Sequence, residues 1–164
     1  MKVFTQKYLS ELSELAVGSQ RNRQHKNIHE SFADPCQRFF NAIEPDSYIT
    51  PHRHSNAGGG ELLIGIKGKM ALILFDDFGD ITEVIEFGSL DSNENMAIGV
   101  EVQPRQWHTV VSFVTGSVLL EVKAGPFDPN AAKETANWAP PEGSDEARNY
   151  LKELISKANQ ISSF

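Results

Sequence analysis

Cysteine, positive charge and long apolar runs are all scarce in this sequence, and each shortage narrows what the protein can be. Cys36 is the only cysteine among 164 residues, which excludes a disulfide within the chain and fits a reducing compartment. No run of about 18 apolar residues occurs, so we expect no membrane-spanning helix. Residues 1–15 also lack the apolar core and small-residue cleavage site of a secretory signal, so we expect a cytoplasmic protein.

The charge balance argues against nucleic acid as the main partner. Fifteen Lys and Arg residues stand against 22 Asp and Glu residues, for a formal net charge of -7. A phosphate backbone requires a basic face, and the one local basic cluster is Arg21, Arg23, His25 and Lys26. We therefore expect a small-molecule partner and no nucleic acid or membrane.

The length and the spacing of apolar residues predict one structural domain with three parts. Residues 1–35 are expected to form a helix and a polar arm, residues 36–125 a β core, and residues 126–164 a surface-wrapping segment and a second helix. The two helices are predicted over 5–17 and 144–158. The first is expected to pack on the domain or on a second subunit, and Trp138 to anchor the wrapping segment.

The β core is predicted from short apolar runs that alternate with turn signals. Several β-branched runs at this spacing are typical of an all-β sandwich or barrel. Asp76–Gly79 is expected to form a hairpin turn, with Gly79 in a left-handed conformation. The predicted strands are Ser47–Thr50, Glu61–Lys67, Met70–Phe75, Ile81–Phe87, Met96–Val102, Thr109–Val114 and Val118–Val122.

Four residues in this core have the chemistry of a metal site. His52 and His54 stand two apart, so in a strand they point to the same face. Glu61 follows across a loop containing Gly58, Gly59 and Gly60, which would let the chain turn back towards the histidines. His108 follows a loop, and Trp107 is expected to face the opposite way. Three imidazoles and a carboxylate suit a divalent ion such as Zn, Fe, Ni, Cu or Mn.

These residues resemble the two cupin motifs. Pro51–His54, Glu61 and Gly68 look like the first motif, G-x5-H-x-H-x3-4-E-x6-G, and Val102–His108 look like the second. The resemblance implies a cupin-type antiparallel β-barrel, a double-stranded β-helix or jelly roll, that binds metal through His52, His54, Glu61 and His108. It also implies a homodimer. The spacer before Glu61 is longer than the motif's, Arg105 stands where the second motif usually has glycine, and Ser112 stands where it often has asparagine.

A wider set of segments resembles a narrower group, the WbuC-type cupin-fold metalloproteins. The match extends over most of residues 19–155 and implies fold and metal more than activity; the group's association with O-antigen clusters hints at sugar chemistry. The segments are Asp34-Pro35-x-Gln37-Arg38, Asn41-Ala42, Tyr48-x-x-Pro51-His52-Arg53-His54, Phe75-Asp76-Asp77, Trp107-His108-Thr109, Glu121-Val122-Lys123-x-Gly125-Pro126 and Trp138-Ala139-Pro140-Pro141-Glu142.

Other polar residues offer candidates for ligand contacts. If the arm folds over the barrel mouth, Arg38 and His29 could hold an anionic substrate and serve as catalytic candidates; otherwise the arm is a solvated surface. Glu121 and Lys123 alternate on a late strand, and we expect both on its outer face, although one could approach the metal. Cys36 is expected to be a small buried side chain.

Three functions fit this pattern. The first is a metal-dependent enzyme acting on a small polar molecule, either a sugar, a sugar phosphate or a keto acid, by isomerase, lyase or oxygenase chemistry. The second is a non-catalytic module that binds a small ligand at its metal. The third is a structural role in which the histidines are vestigial.

Overall fold

The computed structural model describes residues 1–54, 60–89, 96–128 and 133–161. The chain order is α1 (Gln6–Val17), β1 (Arg23–Asn27), β2 (Cys36–Ile43), β3 (His52–Arg53), β4 (Glu61–Lys67), β5 (Lys69–Phe75), β6 (Ile81–Gly88), β7 (Gly99–Val102), β8 (Trp107–Ser112), β9 (Ser117–Ala124), β10 (Glu134–Thr135) and α2 (Asp145–Ile161). Within the described ranges, no helix has the length and apolar character needed to cross a membrane.

The strands form two five-stranded antiparallel sheets. The first has the order β1-β2-β9-β4-β7 and the second the order β10-β3-β8-β5-β6. All neighbouring pairs except β1-β2 and β5-β6 join strands that are not consecutive in the sequence, as in a jelly roll. The predicted architecture, mainly β with a helix towards each end, is confirmed.

Apolar side chains from both sheets meet in the interior. These buried residues come from alternate positions of the strands, so each sheet presents one face inward. They are Ile43, Leu63, Met70, Leu72, Phe87, Val102, Val110 and Leu119. Four of them, Ile43, Leu63, Val110 and Leu119, also line the cavity that occupies the rest of the interior.

The outer faces of the sheets are covered by the two helices. On the first sheet, α1 packs Leu9, Leu12 and Ala16 against Phe40 and Val118. Each large apolar side chain buried in this way contributes about 1.5–3 kcal/mol relative to exposure. Thr5 Oγ1 accepts the Tyr8 N–H at the start of α1, and Gly18 caps its end.

On the second sheet, α2 and the C-terminal segment bury Leu151 and Leu154 with Phe75 and Trp107. Trp138 packs on Phe75 with ring centroids 5.1 Å apart, which agrees with its expected anchoring role.

Two predicted elements differ from the structure in type, and the strands predicted at Met96–Val102 and Thr109–Val114 are observed as Gly99–Val102 and Trp107–Ser112. The polar arm contains β1, which pairs with β2 in the register Arg23↔Ile43 to Asn27↔Phe39. Its inner face is polar because it lines a cavity, so the usual apolar alternation is missing. Ser47–Thr50 is not a strand, and β3 starts only at His52. The predicted hairpin turn at Asp76 is present. Asp76 Oδ1 stabilises it by accepting hydrogen bonds from the Phe78 and Asp80 N–H groups.

Candidate metal centre and ligand cavity

Three of the four predicted ligands converge on one point inside the barrel. His52 on β3 and His108 on β8 are direct partners across the second sheet, and His54 follows β3 by one residue. One ring nitrogen from each histidine lies within 4.8 Å of the other two. This spacing is compatible with a single divalent ion bound by three imidazoles.

Backbone carbonyls orient two of these rings. His52 Nδ1 lies 3.0 Å from the Thr50 carbonyl oxygen, and His108 Nδ1 lies 2.9 Å from that of Gln106. A carbonyl can only accept, so each Nδ1 carries the proton and each Nε2 presents a lone pair. Metal-binding histidines are commonly held in this way. Burial, followed by the nearby His108 and Lys133, lowers the pKa of His52 well below its ordinary value.

Glu61 reaches the same point from the first sheet. Its Oε2 lies 3.0 Å from His54 Nε2 and 3.5 Å from His108 Nε2. The preceding glycines Gly58 and Gly59 lie outside the described residues. Burial alone would raise the pKa of Glu61, but hydrogen bonds with Glu121, His108 and His54 hold it well below its ordinary value. The site therefore contains a carboxylate as well as three imidazoles.

Glu121 and Lys123 both lie inside the barrel, so the expectation that they face outward is wrong. Both line the cavity, Lys123 is the direct cross-strand partner of Glu61, and its Nζ lies 2.7 Å from Glu121 Oε1. The outer face of β9 is taken by Val118, which packs under α1. Burial and the adjacent Glu61 charge raise the pKa of Glu121 well above its ordinary value.

A cavity of about 550 Å³ opens beside the histidines, which is the size of a small-molecule site. The second sheet supplies His52 and His108, and the first sheet supplies polar side chains from alternate residues of β1 and β2. These side chains include His25, whose pKa is lowered to about 4 by partial desolvation at the cavity surface and by the positive charges of Arg23, Arg21, Lys123 and Lys133. The cavity is therefore both polar and electropositive on this side.

The arm contributes one of the two predicted catalytic candidates to this cavity. His29 lines it, and its Nδ1 is held at the backbone of Arg38. Arg38 itself lies on the other face of β2, where it pairs with Asp34 at 3.0 Å. Strand alternation explains this, since Gln37 and Phe39 face the cavity. Cys36 is only partly buried, so the prediction of a buried thiol is wrong.

The loop before His108 explains one departure from the cupin motif. Arg105 has φ +64°, so it adopts the left-handed conformation that glycine accepts most readily. Its N–H donates to the His54 carbonyl at 3.0 Å, which connects the two histidine-bearing loops. Trp107 points away from His108 into the outer core, as predicted.

Two facing sheets around a histidine-bearing cavity form a cupin-type, double-stranded β-helix fold. A Klebsiella pneumoniae subsp. pneumoniae protein described as an uncharacterized conserved protein with a double-stranded beta-helix domain has a TM-score of 0.56 at 15% identity, over 84% of this chain and 98% of that one. Protein SO0799 from Shewanella oneidensis has a TM-score of 0.56 at 12% identity, over 84% of both chains. The capsular polysaccharide assembling protein CapF from Staphylococcus aureus has a TM-score of 0.54 at 20% identity, over 71% of this chain and 30% of CapF.

A family model gives a more specific assignment than the fold does. The chain belongs to the family described as a domain of unknown function, DUF6016, whose model matches residues 4–87. No curated protein matches the sequence. At these identities the solved structures show the fold alone.

Proposed function

We propose that this protein is a metal-dependent enzyme that acts on a small polar molecule. The divalent ion is bound by His52, His54 and His108, with Glu61 as the fourth ligand. The observation that carries the proposal is the meeting of three histidine nitrogens, within 4.8 Å of one another, at the wall of a cavity large enough for a substrate. The resemblance to WbuC-type metalloproteins supports the same assignment.

The chemistry of the proposed reaction follows from the metal-binding residues and from the polar side chains that line the cavity. A bound divalent ion acts as a Lewis acid on a carbonyl or hydroxyl oxygen of the substrate. Neutral imidazoles and one carboxylate suit Zn, Fe, Ni and Mn alike, so elemental analysis has to identify the metal. His29 is the proton carrier, because it lines the cavity and its buried Nε2 has no hydrogen-bond partner among the described residues.

Metal analysis of the purified protein tests the first half of the proposal. Wild type reconstituted with each of the four ions in turn should retain about one ion per chain, as judged by elemental analysis after gel filtration. His52→Ala and His108→Ala should lose that ion. His25→Ala is the matched control, because His25 lines the same cavity outside the histidine cluster. A wild type that retains none of the four ions would sink the proposal.

Turnover tests the second half. Metal-loaded protein is incubated with a panel of sugars, sugar phosphates and keto acids, and products are followed by NMR. Conversion that needs the metal and falls in a His29→Gln variant supports an enzyme with His29 as proton carrier. Binding without conversion would indicate the non-catalytic module instead.

A further inference from the structure

Three buried polar side chains on the first sheet's side of the cavity each have one polar atom that makes no hydrogen bond with the described residues. They are His29, Gln37 and Asn41, which we call the polar wall; each is at most 7% exposed and each lines the cavity. His29 Nε2, Gln37 Oε1 and Asn41 Oδ1 make no hydrogen bond within the described parts of the chain. Buried polar atoms are almost always paired with protein or with ordered water, so three on one wall of a ligand-sized cavity form a surface that a hydrogen-bonding ligand can occupy.

The hydrogen bonds of Gln37 show that a hydrogen-bond donor is the missing partner on this wall. Its Nε2 donates to the Asp34 carbonyl at 2.7 Å and to the Phe32 carbonyl at 3.2 Å. These bonds orient the amide, so Oε1 is the atom left for the ligand. A carbonyl oxygen accepts hydrogen bonds only. The ligand must therefore bring a donor such as a hydroxyl group to this position.

The charges around the cavity favour a ligand that carries a negative charge. Arg21, Arg23, Lys123 and Lys133 all line it. The two arginines share one carboxylate, Glu142, while Lys123 pairs with Glu121. Lys133 forms no ion pair with any carboxylate in the described ranges. A cavity lined by four cationic side chains, one of which has no ion-pair partner in the described ranges, is complementary to an anionic group even in a chain of net charge -7.

We infer that the cavity takes a small polyhydroxylated anion, whose hydroxyl groups meet the polar wall and whose charged group lies at Lys133. A sugar acid and a sugar phosphate share this chemistry. The inference rests on the proposed function in one respect only, that the other end of the ligand reaches the metal.

Matched ligand pairs test the inference by isothermal titration calorimetry. Gluconate is compared with sorbitol, and glucose 6-phosphate with glucose, each against metal-loaded and metal-free wild type. At least one anion should bind about tenfold tighter than its neutral counterpart, since a hydrogen bond to a charged group contributes that much. The pair that shows the preference tells whether carboxylate or phosphate is the recognised group.

Two variants locate the preference. Lys133→Gln should abolish it, whereas Lys7→Gln, on the exposed face of α1, should leave it unchanged. Asn41→Asp keeps the side-chain shape and adds a negative charge to the wall, so it should weaken anion binding while leaving metal content intact.

The outcomes separate the two proposals. The inference is overturned if both neutral compounds bind as tightly as the anions, if Lys133→Gln keeps the preference, or if neither anion binds at millimolar concentrations. Metal content is measured on the same preparations. Anion binding to protein that takes up no metal would overturn the proposed function alone, and stoichiometric metal without anion preference would overturn this inference alone.

Discussion

His52 and His108 face each other directly across β3 and β8, with ring centroids 4.5 Å apart. In an antiparallel sheet, directly opposed residues have Cβ atoms about 4.5–5.5 Å apart, so the backbone register itself creates this pair. His54 is the residue that follows β3, and Glu61 reaches the pair from β4 in the other sheet. The histidine cluster is thus an extension of one cross-strand pair.

Metal removal should destabilise the protein. An ion that binds only the folded state adds about 2.7 kcal/mol when its free concentration is 100 times Kd. We expect a chelator to lower the Tm of wild type in a thermal melt. The Tm of His108→Ala should not respond to metal or chelator, because that variant lacks a central ligand. An equal chelator response in both proteins would contradict the assignment.

Glu61 and Glu121 should contribute differently to metal binding. Glu61→Gln keeps the size of the side chain but removes the carboxylate beside His54, so we expect metal affinity to fall at least about tenfold. Glu121→Gln should have a smaller effect, since Glu121 contacts Glu61 rather than a histidine. Competition with a chromophoric chelator measures both affinities. Equal affinities for wild type and Glu61→Gln would remove Glu61 from the ligand set.

Glycine at position 105 should stabilise the protein. The left-handed conformation of Arg105 costs the folded protein about 1–2 kcal/mol, a cost that glycine does not have. Glycine also makes the unfolded chain more flexible, which lowers stability by about 0.4–1 kcal/mol and offsets part of the gain. Arg105→Gly should therefore raise the free energy of unfolding by about 0.5 kcal/mol. Arg148→Gly, in the ordinary helical backbone of α2, is the control and should lower it by about 1 kcal/mol. Urea denaturation of both variants decides the point; a loss of stability in Arg105→Gly would contradict the strain argument.

The Glu142 carboxylate should make stability depend on pH. It binds Arg23, whose side chain is 4% exposed, and Arg21. Burial opposes ionisation of Glu142, but hydrogen bonding and attraction to Arg23 and Arg21 lower its pKa overall. The unfolded chain therefore binds this proton more readily than the folded protein. The stabilisation is complete above the ordinary pKa of 4.5 and is lost as the pH falls through the lower folded value.

Glu142→Gln should accordingly cost about 1–3 kcal/mol at neutral pH, because it leaves a buried guanidinium without its charged partner. The difference between wild type and variant should shrink as the pH falls below the ordinary glutamate pKa. Urea unfolding at neutral and acidic pH checks this. A difference that grows on acidification would refute the assigned sign.

Much of the barrel could be predicted from local patterns. The strands β4, β5, β6 and β9 were predicted close to their observed positions, because glycine and aspartate turns separate short runs of β-branched and aliphatic residues. β1 could not be predicted in this way. Its inward side chains, such as His25 and Asn27, face a polar cavity, so they lack the apolar alternation that identifies a strand.

The residues of the sequence determined the fold class and the chemistry of the donors, because periodicity and side-chain type are local properties. The spacing of His52 and His54 already placed both on one side of a strand. Tertiary structure decided which faces of the strands point inward. Since β9 lies between β2 and β4 in the first sheet and α1 covers its outer face, Glu121 and Lys123 enter the cavity, while Arg38 points away from it.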